Sequence, residues 1–220
     1  MRNDYKPEMK DYKFPYWGPF VLETKIEQEF LDALLEKGNE SRKKNLDNRK
    51  KLAGVIDNEY YYEDYEEWFI PKFTPYMNGY MEGMRTLWMP EKKPIKTWCI
   101  KSLWINYQKA NEYNPPHNHA DDLSFVIYLK VPAKLKKEFK ESVGMRTTQG
   151  PGTINFDYGI EMPLSINTFS KFPRVGDIYI FPAWLVHYVH AFKSDVERIS
   201  VSGNISFKSE SGLPLYECSR

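Results

Sequence analysis

Gly176-Asp177-Ile178-Tyr179-Ile180-Phe181-Pro182-Ala183-Trp184-Leu185-Val186-His187 is the stretch on which the architecture turns. A turn glycine opens it, and Asp177 to Phe181 is a short apolar and aromatic run of strand type. Phe181-Pro182 ends that run, and a histidine follows within the same segment. Working outward, more runs of this kind appear. Arg198 to Phe207 alternates, with Ile199, Val201, Ile205 and Phe207 on one side. Thr153-Ile154-Asn155-Phe156 follows Gly150-Pro151-Gly152. Ser124-Phe125-Val126-Ile127-Tyr128-Leu129 is dense in β-branched and aromatic residues, and residues 97–108 are rich in Trp, Ile and Tyr. Many short strands toward the end of a chain indicate a β-sandwich or jelly roll.

The earlier part reads as helix. Thr24-Lys25-Ile26-Glu27 has the form of a capping box, so a helix is expected to start near Thr24. Ile26, Phe30, Ala33 and Leu34 share its apolar face, and Gly38 is the expected stop. Residues 60–88 place Trp68, Phe69, Phe73, Tyr76, Met77, Tyr80, Met84 and Leu87 at helical spacing. An interruption is expected around Pro71 and Pro75. Such a stripe is ordinarily core, here packed on the outside of a sheet. The charged residues 40–53 read as a solvated face. The expected fold class is therefore α+β. An extended arm spans 1–20, a helical support region 21–95 and the β core 96–220, all in one domain. Residues 132–152, long and glycine-containing, read either as a lid or as a solvated insertion.

Composition narrows the function classes. The chain has 220 residues and a formal charge of +1, so bulk electrostatics indicates neither nucleic acid nor an anionic membrane. Aromatics make up 16%, enough large side chains for a β-rich core. The two cysteines, Cys99 and Cys218, lie far apart, which favours a reducing compartment, read as cytoplasmic. No signal peptide or membrane-spanning run is read. The aromatic helical surface could host a homodimer.

All four histidines fall in two clusters, His117 and His119, then His187 and His190. Imidazole is a preferred ligand of iron and related metals. Ligands separated by one residue suit a strand end, because residues i and i+2 face the same way. Two such pairs overlap, His117-x-His119 and His119-x-Asp121, with His187 as the distal partner. His190, three residues past His187, is assigned to structure or to a place behind the ligands.

Taken in order, these segments resemble the iron(II)- and 2-oxoglutarate-dependent dioxygenases, in particular their prolyl-4-hydroxylase-like branch. The resemblance runs over about 98–207. It rests on Asn106-Tyr107, Tyr113-Asn114-Pro115-Pro116-His117, Phe125 to Leu129, the Gly176 to His187 segment, and Arg198-Ile199-Ser200. Proteins of tailed phages carry similar segments. The resemblance implies a double-stranded β-helix with iron(II) at its mouth. It also implies 2-oxoglutarate and O2 as co-reactants, and a substrate that the sequence does not name. Arg198 and Ser200 would hold the far carboxylate of 2-oxoglutarate, and Tyr128 and Tyr107 would point phenols at it. If His117 is the first ligand, His119 stands where the family has a carboxylate, giving a three-histidine site. The other alignment uses His119, Asp121 and His187, with His117 behind them. Two rival readings stay open: a three-histidine oxygenase of cupin type without 2-oxoglutarate, and a non-enzymatic jelly-roll protein of a virion or assembly.

Overall fold

The computed structural model describes residues 18–88, 97–142 and 149–208. Most of the expected arm 1–20, together with Gly144 and Cys218, lies outside the described residues. The architecture is α+β, two antiparallel sheets facing each other with helices on one outer face. The larger sheet has the order β1 (Leu22–Lys25), β8 (Asp177–Pro182), β5 (Leu123–Lys130), β10 (Arg198–Lys208), β3 (Thr97–Gln108) and β2 (Glu59–Tyr61). The smaller runs β4 (Asn114–His117), β9 (Val186–Val189), β6 (Ile154–Asp157) and β7 (Thr168–Lys171). Three helices, α1 (Gln28–Lys43), α2 (Tyr65–Gly83) and α3 (Ala133–Glu141), complete the described elements apart from short 3-10 and π turns. No helix among the described residues is long and apolar enough to cross a membrane.

Strand alternation divides the larger sheet into two unlike faces. Leu103, Ile105 and Tyr107 of β3, Ile127 of β5 and Val201 and Ile205 of β10 point outward. There they bury against Phe30 and Leu34 of α1 and Phe69, Phe73 and Met77 of α2. The inward face packs a smaller cluster, including Tyr128, Tyr179 and Phe181, against Ile154 and Phe156 of the second sheet. The rest of the inward face is polar, and the site is built there.

The helices correct three sequence expectations. Leu22–Lys25 pairs with β8 instead of opening a helix, so α1 begins at Gln28 with no side-chain cap. The amide of Glu27 donates to the Tyr76 hydroxyl at 3.0 Å. An edge strand gains four paired residues, which the local capping box cannot match. The second helix is not interrupted, and Pro71 and Pro75 both lie inside it. Each interior proline costs ~3 kcal/mol. Full burial of each of Phe69, Phe73, Met77 and Tyr80 returns about 1.5–3 kcal/mol, so packing wins. Phe73 meets Phe125 at 4.6 Å between ring centroids.

Gly38 does not stop α1, which continues to Lys43. Its role is close approach, because a Cβ there would overlap Ile105 Cδ1 and lie 2.9 Å from the Tyr62 hydroxyl. Ile105 is fully buried, so its Cδ1 must repack within the core to admit a methyl group. Gly38→Ala is therefore expected to destabilise the fold by about 1–3 kcal/mol despite the better helix propensity of alanine. Urea unfolding monitored by circular dichroism checks this, and an unchanged midpoint would refute it.

Candidate metal and cosubstrate site

β4 and β9 bring the two histidine clusters together. His117 and His187 are directly paired in register across these strands. Their ring centroids are 4.3 Å apart, and His119 lies 5.0 Å from His117 and 5.2 Å from His187. His119 sits just past the strand end, where its amide donates to the Ala183 carbonyl at 2.9 Å. One nitrogen from each ring falls within 4.8 Å of the others, a spacing that could hold one metal ion.

The backbone fixes how two of these rings present themselves. His117 Nδ1 lies 2.7 Å from the Pro115 carbonyl, and His187 Nδ1 lies 2.9 Å from the Leu185 carbonyl. A carbonyl only accepts, so each Nδ1 carries the proton and each Nε2 lone pair is free. Ligating histidines are commonly oriented in this way. Burial, reinforced by His117, pushes the pKa of His187 down to about 3 and that of His119 to about 4. Those two rings are neutral at physiological pH, as a metal requires. The chemistry of the donor set thus fits a divalent transition metal.

Asp121 is not brought to this group. Its Oδ1 accepts from the Ser206 hydroxyl at 3.0 Å, on the first sheet. The alternative ligand set with Asp121 is therefore corrected by geometry, and all three grouped residues are imidazoles. His190 packs edge-on to Tyr188 and stays outside the group.

Beside the histidines, the polar row of the larger sheet carries the cosubstrate candidates. Arg198 is 1% exposed, and none of the ion pairs among the described residues includes it. Its Nη1 donates to the Gly152 carbonyl at 2.9 Å, whereas Nε has no partner. Its guanidinium lies 5.3 Å from the centroid of the Tyr128 ring, and the Tyr128 hydroxyl is also buried without a partner. Burial pushes the Tyr128 phenol up to about 12, so it remains a donor. A buried, unpaired guanidinium beside a free phenol calls for a carboxylate ligand. Ser200 is buried on the same face, paired in register with Tyr128.

Tyr107 is elsewhere. Alternation turns it to the outer face, where its hydroxyl donates to Asn39 Oδ1 at 2.9 Å and Arg42 lies over its ring. The expectation that it points at the cosubstrate is corrected. It is one residue out of phase with Asn106 and Gln108, which do face inward.

The pocket has lining residues that the sequence reading missed: Glu59, Trp104 and Asn114. Trp104 was legible in principle, since it shares the inward phase of β3 with Asn106 and Gln108. Glu59 was not, because it sits among Asp57, Glu63 and Asp64 in what reads as a solvated acidic run. It is 2% exposed. Burial, then the charges of Glu112 and Asp47, raise its pKa to about 7. A raised folded-state pKa favours folding while the acid is protonated. That stability is complete below the unfolded value near 4.5 and is lost as pH rises through about 7. The wild type is expected to lose on the order of 3 kcal/mol relative to Glu59→Gln between pH 4.5 and 8. Paired thermal melts across that window test the sign; a difference that does not vary with pH would refute it.

Residues 102–204 match the model of a family described as "Putative 2OG-Fe(II) oxygenase". Over this segment, just under half of the chain, the protein is similar to 2OG-Fe(II) oxygenases. The cofactors of that family are iron(II) and 2-oxoglutarate, and the three-histidine cluster suits the metal. No curated protein matches the chain. Among solved structures, a Pseudomonas putida prolyl-4-hydroxylase aligns with TM-score 0.53 and 10% identity, over 85% of this chain and 92% of its own. A viral collagen prolyl hydroxylase of Paramecium Bursaria Chlorella virus-1, solved with 2-oxoglutarate, gives 0.52 and 16%, over 86% and 96%. A prolyl hydroxylase of Trichoplax adhaerens, in complex with a hypoxia inducible factor peptide, gives 0.55 and 8%, over 88% and 85%. At such identities the likeness is one of fold, the double-stranded β-helix.

Proposed function

We propose that this oxygenase is a hydroxylase whose iron(II) is held by His117, His119 and His187. In this reading 2-oxoglutarate is clamped by Arg198, Ser200 and Tyr128. The observation that carries it is the adjacency of three grouped imidazoles to a buried arginine with no anionic partner among the described residues. Bound iron with 2-oxoglutarate would supply the oxidising power, consuming O2 and releasing succinate and carbon dioxide. The chain's own contribution is positional. Arg198 and Tyr128 fix one end of the cosubstrate, and the Pro115 and Leu185 carbonyls hold the His117 and His187 rings to the metal. The apolar wall of Phe156, Phe181 and Leu185 excludes water from one side.

With imidazole in the carboxylate position, the site would be one charge unit more positive than a two-histidine, one-carboxylate centre. That strengthens its hold on a dianionic cosubstrate. The catalytic unit is taken as 96–220 and residues 21–95 as its support, working in the cytoplasm, where 2-oxoglutarate is available. Anaerobic titration with iron(II) and then 2-oxoglutarate is expected to give a weak visible charge-transfer band, and aerobic incubation to release succinate. Iron binding with neither band nor 2-oxoglutarate affinity would replace this reading with a cupin-type three-histidine oxygenase. Failure to bind iron would remove the enzyme reading.

A further inference from the structure

The pocket has two chemically opposite ends. At the Arg198 end the unpaired buried groups that line the pocket are the donor Nε of Arg198 and the Tyr128 hydroxyl; Gln108, directly opposite Arg198 on β3, has a buried unpaired Oε1 but does not line the pocket. On the other side, β2 closes the sheet, and Glu59 pairs in register with Asn106, which pairs in turn with Ser200. Residues opposite one another on adjacent strands share a face. The row Glu59, Asn106, Ser200, Tyr128 therefore crosses four strands, spanning about 14 Å at the usual strand spacing. At its Glu59 end the unpaired buried atoms are all oxygens, Glu59 Oε2 and Asn106 Oδ1.

Two further oxygens of this corner, Glu59 Oε1 and Asn114 Oδ1, lie beside Gly54. A Cβ on it would lie 2.5 Å from Asn114 Oδ1 and 2.8 Å from Glu59 Oε1. The side-chain oxygens of Glu59 and Asn114 thus lie side by side against the Gly54 backbone, which carries no side chain to keep them apart. Glu59, Asn114 and Gly54 all line the pocket that contains His117, His119 and His187. The surrounding field has a definite sign. Glu112 and Asp47 both add negative potential at Glu59. Arg49 opposes them, but its guanidinium is committed to Asp47 through two bonds of 2.9 Å. Trp104, whose ring centroid is 6.3 Å from that of His119, adds an apolar surface to the same pocket.

We propose that Glu59 and Asn114 form a substrate subsite for a protonated amine, so that the substrate is an alkylammonium compound or side chain oxidised on its carbon chain. This rests on the proposed function only in naming the occupant a substrate. A buried carboxylate without a donor is costly, and an ammonium group relieves that cost through charge-assisted hydrogen bonds. Hydroxyl or amide substrates would leave the acidic field uncompensated. Glu59 is a specificity residue here, since the histidines and Arg198 are left to their own ligands.

The test uses zinc-loaded, 2-oxoglutarate-bound protein, which cannot turn over, and ligand-observed saturation-transfer NMR. The probes are n-butylammonium, pentanoate and n-pentanol. Wild type is expected to bind n-butylammonium at least about tenfold more tightly than either other probe. Glu59→Gln should remove that preference, with n-pentanol unaffected, and Glu36→Gln on α1 should leave it intact. Zinc and 2-oxoglutarate uptake, measured by calorimetry on the same samples, shows whether Glu59→Gln keeps the pocket. Equal binding of the three probes by wild type, or a preference that survives Glu59→Gln, overturns the proposal. Loss of 2-oxoglutarate uptake with the ammonium preference intact would instead strike the proposed function and leave the subsite standing.

Discussion

Replacing His187 by Ala is expected to lower iron(II) affinity by more than about 100-fold, and succinate release should fall to background. His187 is the most buried of the grouped imidazoles, at 9% exposure, and it faces His117 directly in register. Disturbing a residue that merely orients a ligand already costs about 10–100-fold, so removal of a ligand should exceed that range. The variant should still fold. The ring that is lost is neutral and donates to the Leu185 carbonyl, and the Phe156 and Phe181 rings remain around the gap. His119→Ala should behave similarly, whereas Asp121→Ala should leave iron affinity within about threefold of wild type, as expected for a group bonded only to Ser206. The His119→Asp variant adds a sharper contrast. It restores a carboxylate at that position, so it should retain iron and bind 2-oxoglutarate more weakly through the lost unit of charge. Calorimetric titration of the four variants with iron(II), compared under nitrogen, decides among the ligand sets. Retention of full affinity by His187→Ala would refute the site.

What the sequence revealed and what it hid follow from the range of the interactions. The long strands β3, β5, β8 and β10 were legible because each carries its own apolar alternation or run, and alternation is a local property. The pairing of His117 with His187 was foreshadowed by two clusters of the same rare residue. The order of ligands was not, because His117-x-His119 and His119-x-Asp121 fit a strand end equally well. Only the third dimension separates them, by turning Asp121 toward Ser206. Tyr107 shows the same limit. The family resemblance pointed at the correct strand, but inward and outward phase differ by one residue, and Tyr107 lies on the side that packs on α1. The prolines of α2 misled because local propensity spoke for a break, while the deciding burial against Phe125 comes from a distant part of the chain. Short edge elements such as β1, β2 and β4 had no periodic signal. Glu59 was hidden with β2, since an acid in an acidic stretch looks solvated until a neighbouring strand covers it.

Arg198→Met is expected to separate binding from stability in opposite directions. Removing one partner of a buried charge pair typically costs 2–5 kcal/mol, which corresponds to a loss of about 30- to 4000-fold in 2-oxoglutarate affinity. In the unliganded protein the same residue is a liability. It is 1% exposed, burial depresses its pKa, and among the described residues its guanidinium donates to the Gly152 carbonyl alone. Replacing buried charge with an apolar side chain of similar length is often neutral or stabilising by about 1–4 kcal/mol. Against that stands the Gly152 carbonyl, which loses its donor at a cost of about 1–3 kcal/mol. The net expectation is an unliganded melting temperature equal to or above that of wild type, and the complete loss of the further rise that 2-oxoglutarate gives to wild type. Arg198→Lys should recover only part of the affinity, because an ammonium group makes no bidentate contact with a carboxylate. Thermal melts with and without 2-oxoglutarate, in the presence of zinc, read both effects in one experiment. If Arg198→Met melts well below wild type and still responds to 2-oxoglutarate, then Arg198 is a structural residue and the cosubstrate is held elsewhere. If the stability holds and the response vanishes, the fold carries an unpaired buried charge whose place in the structure is explained by the anion it receives.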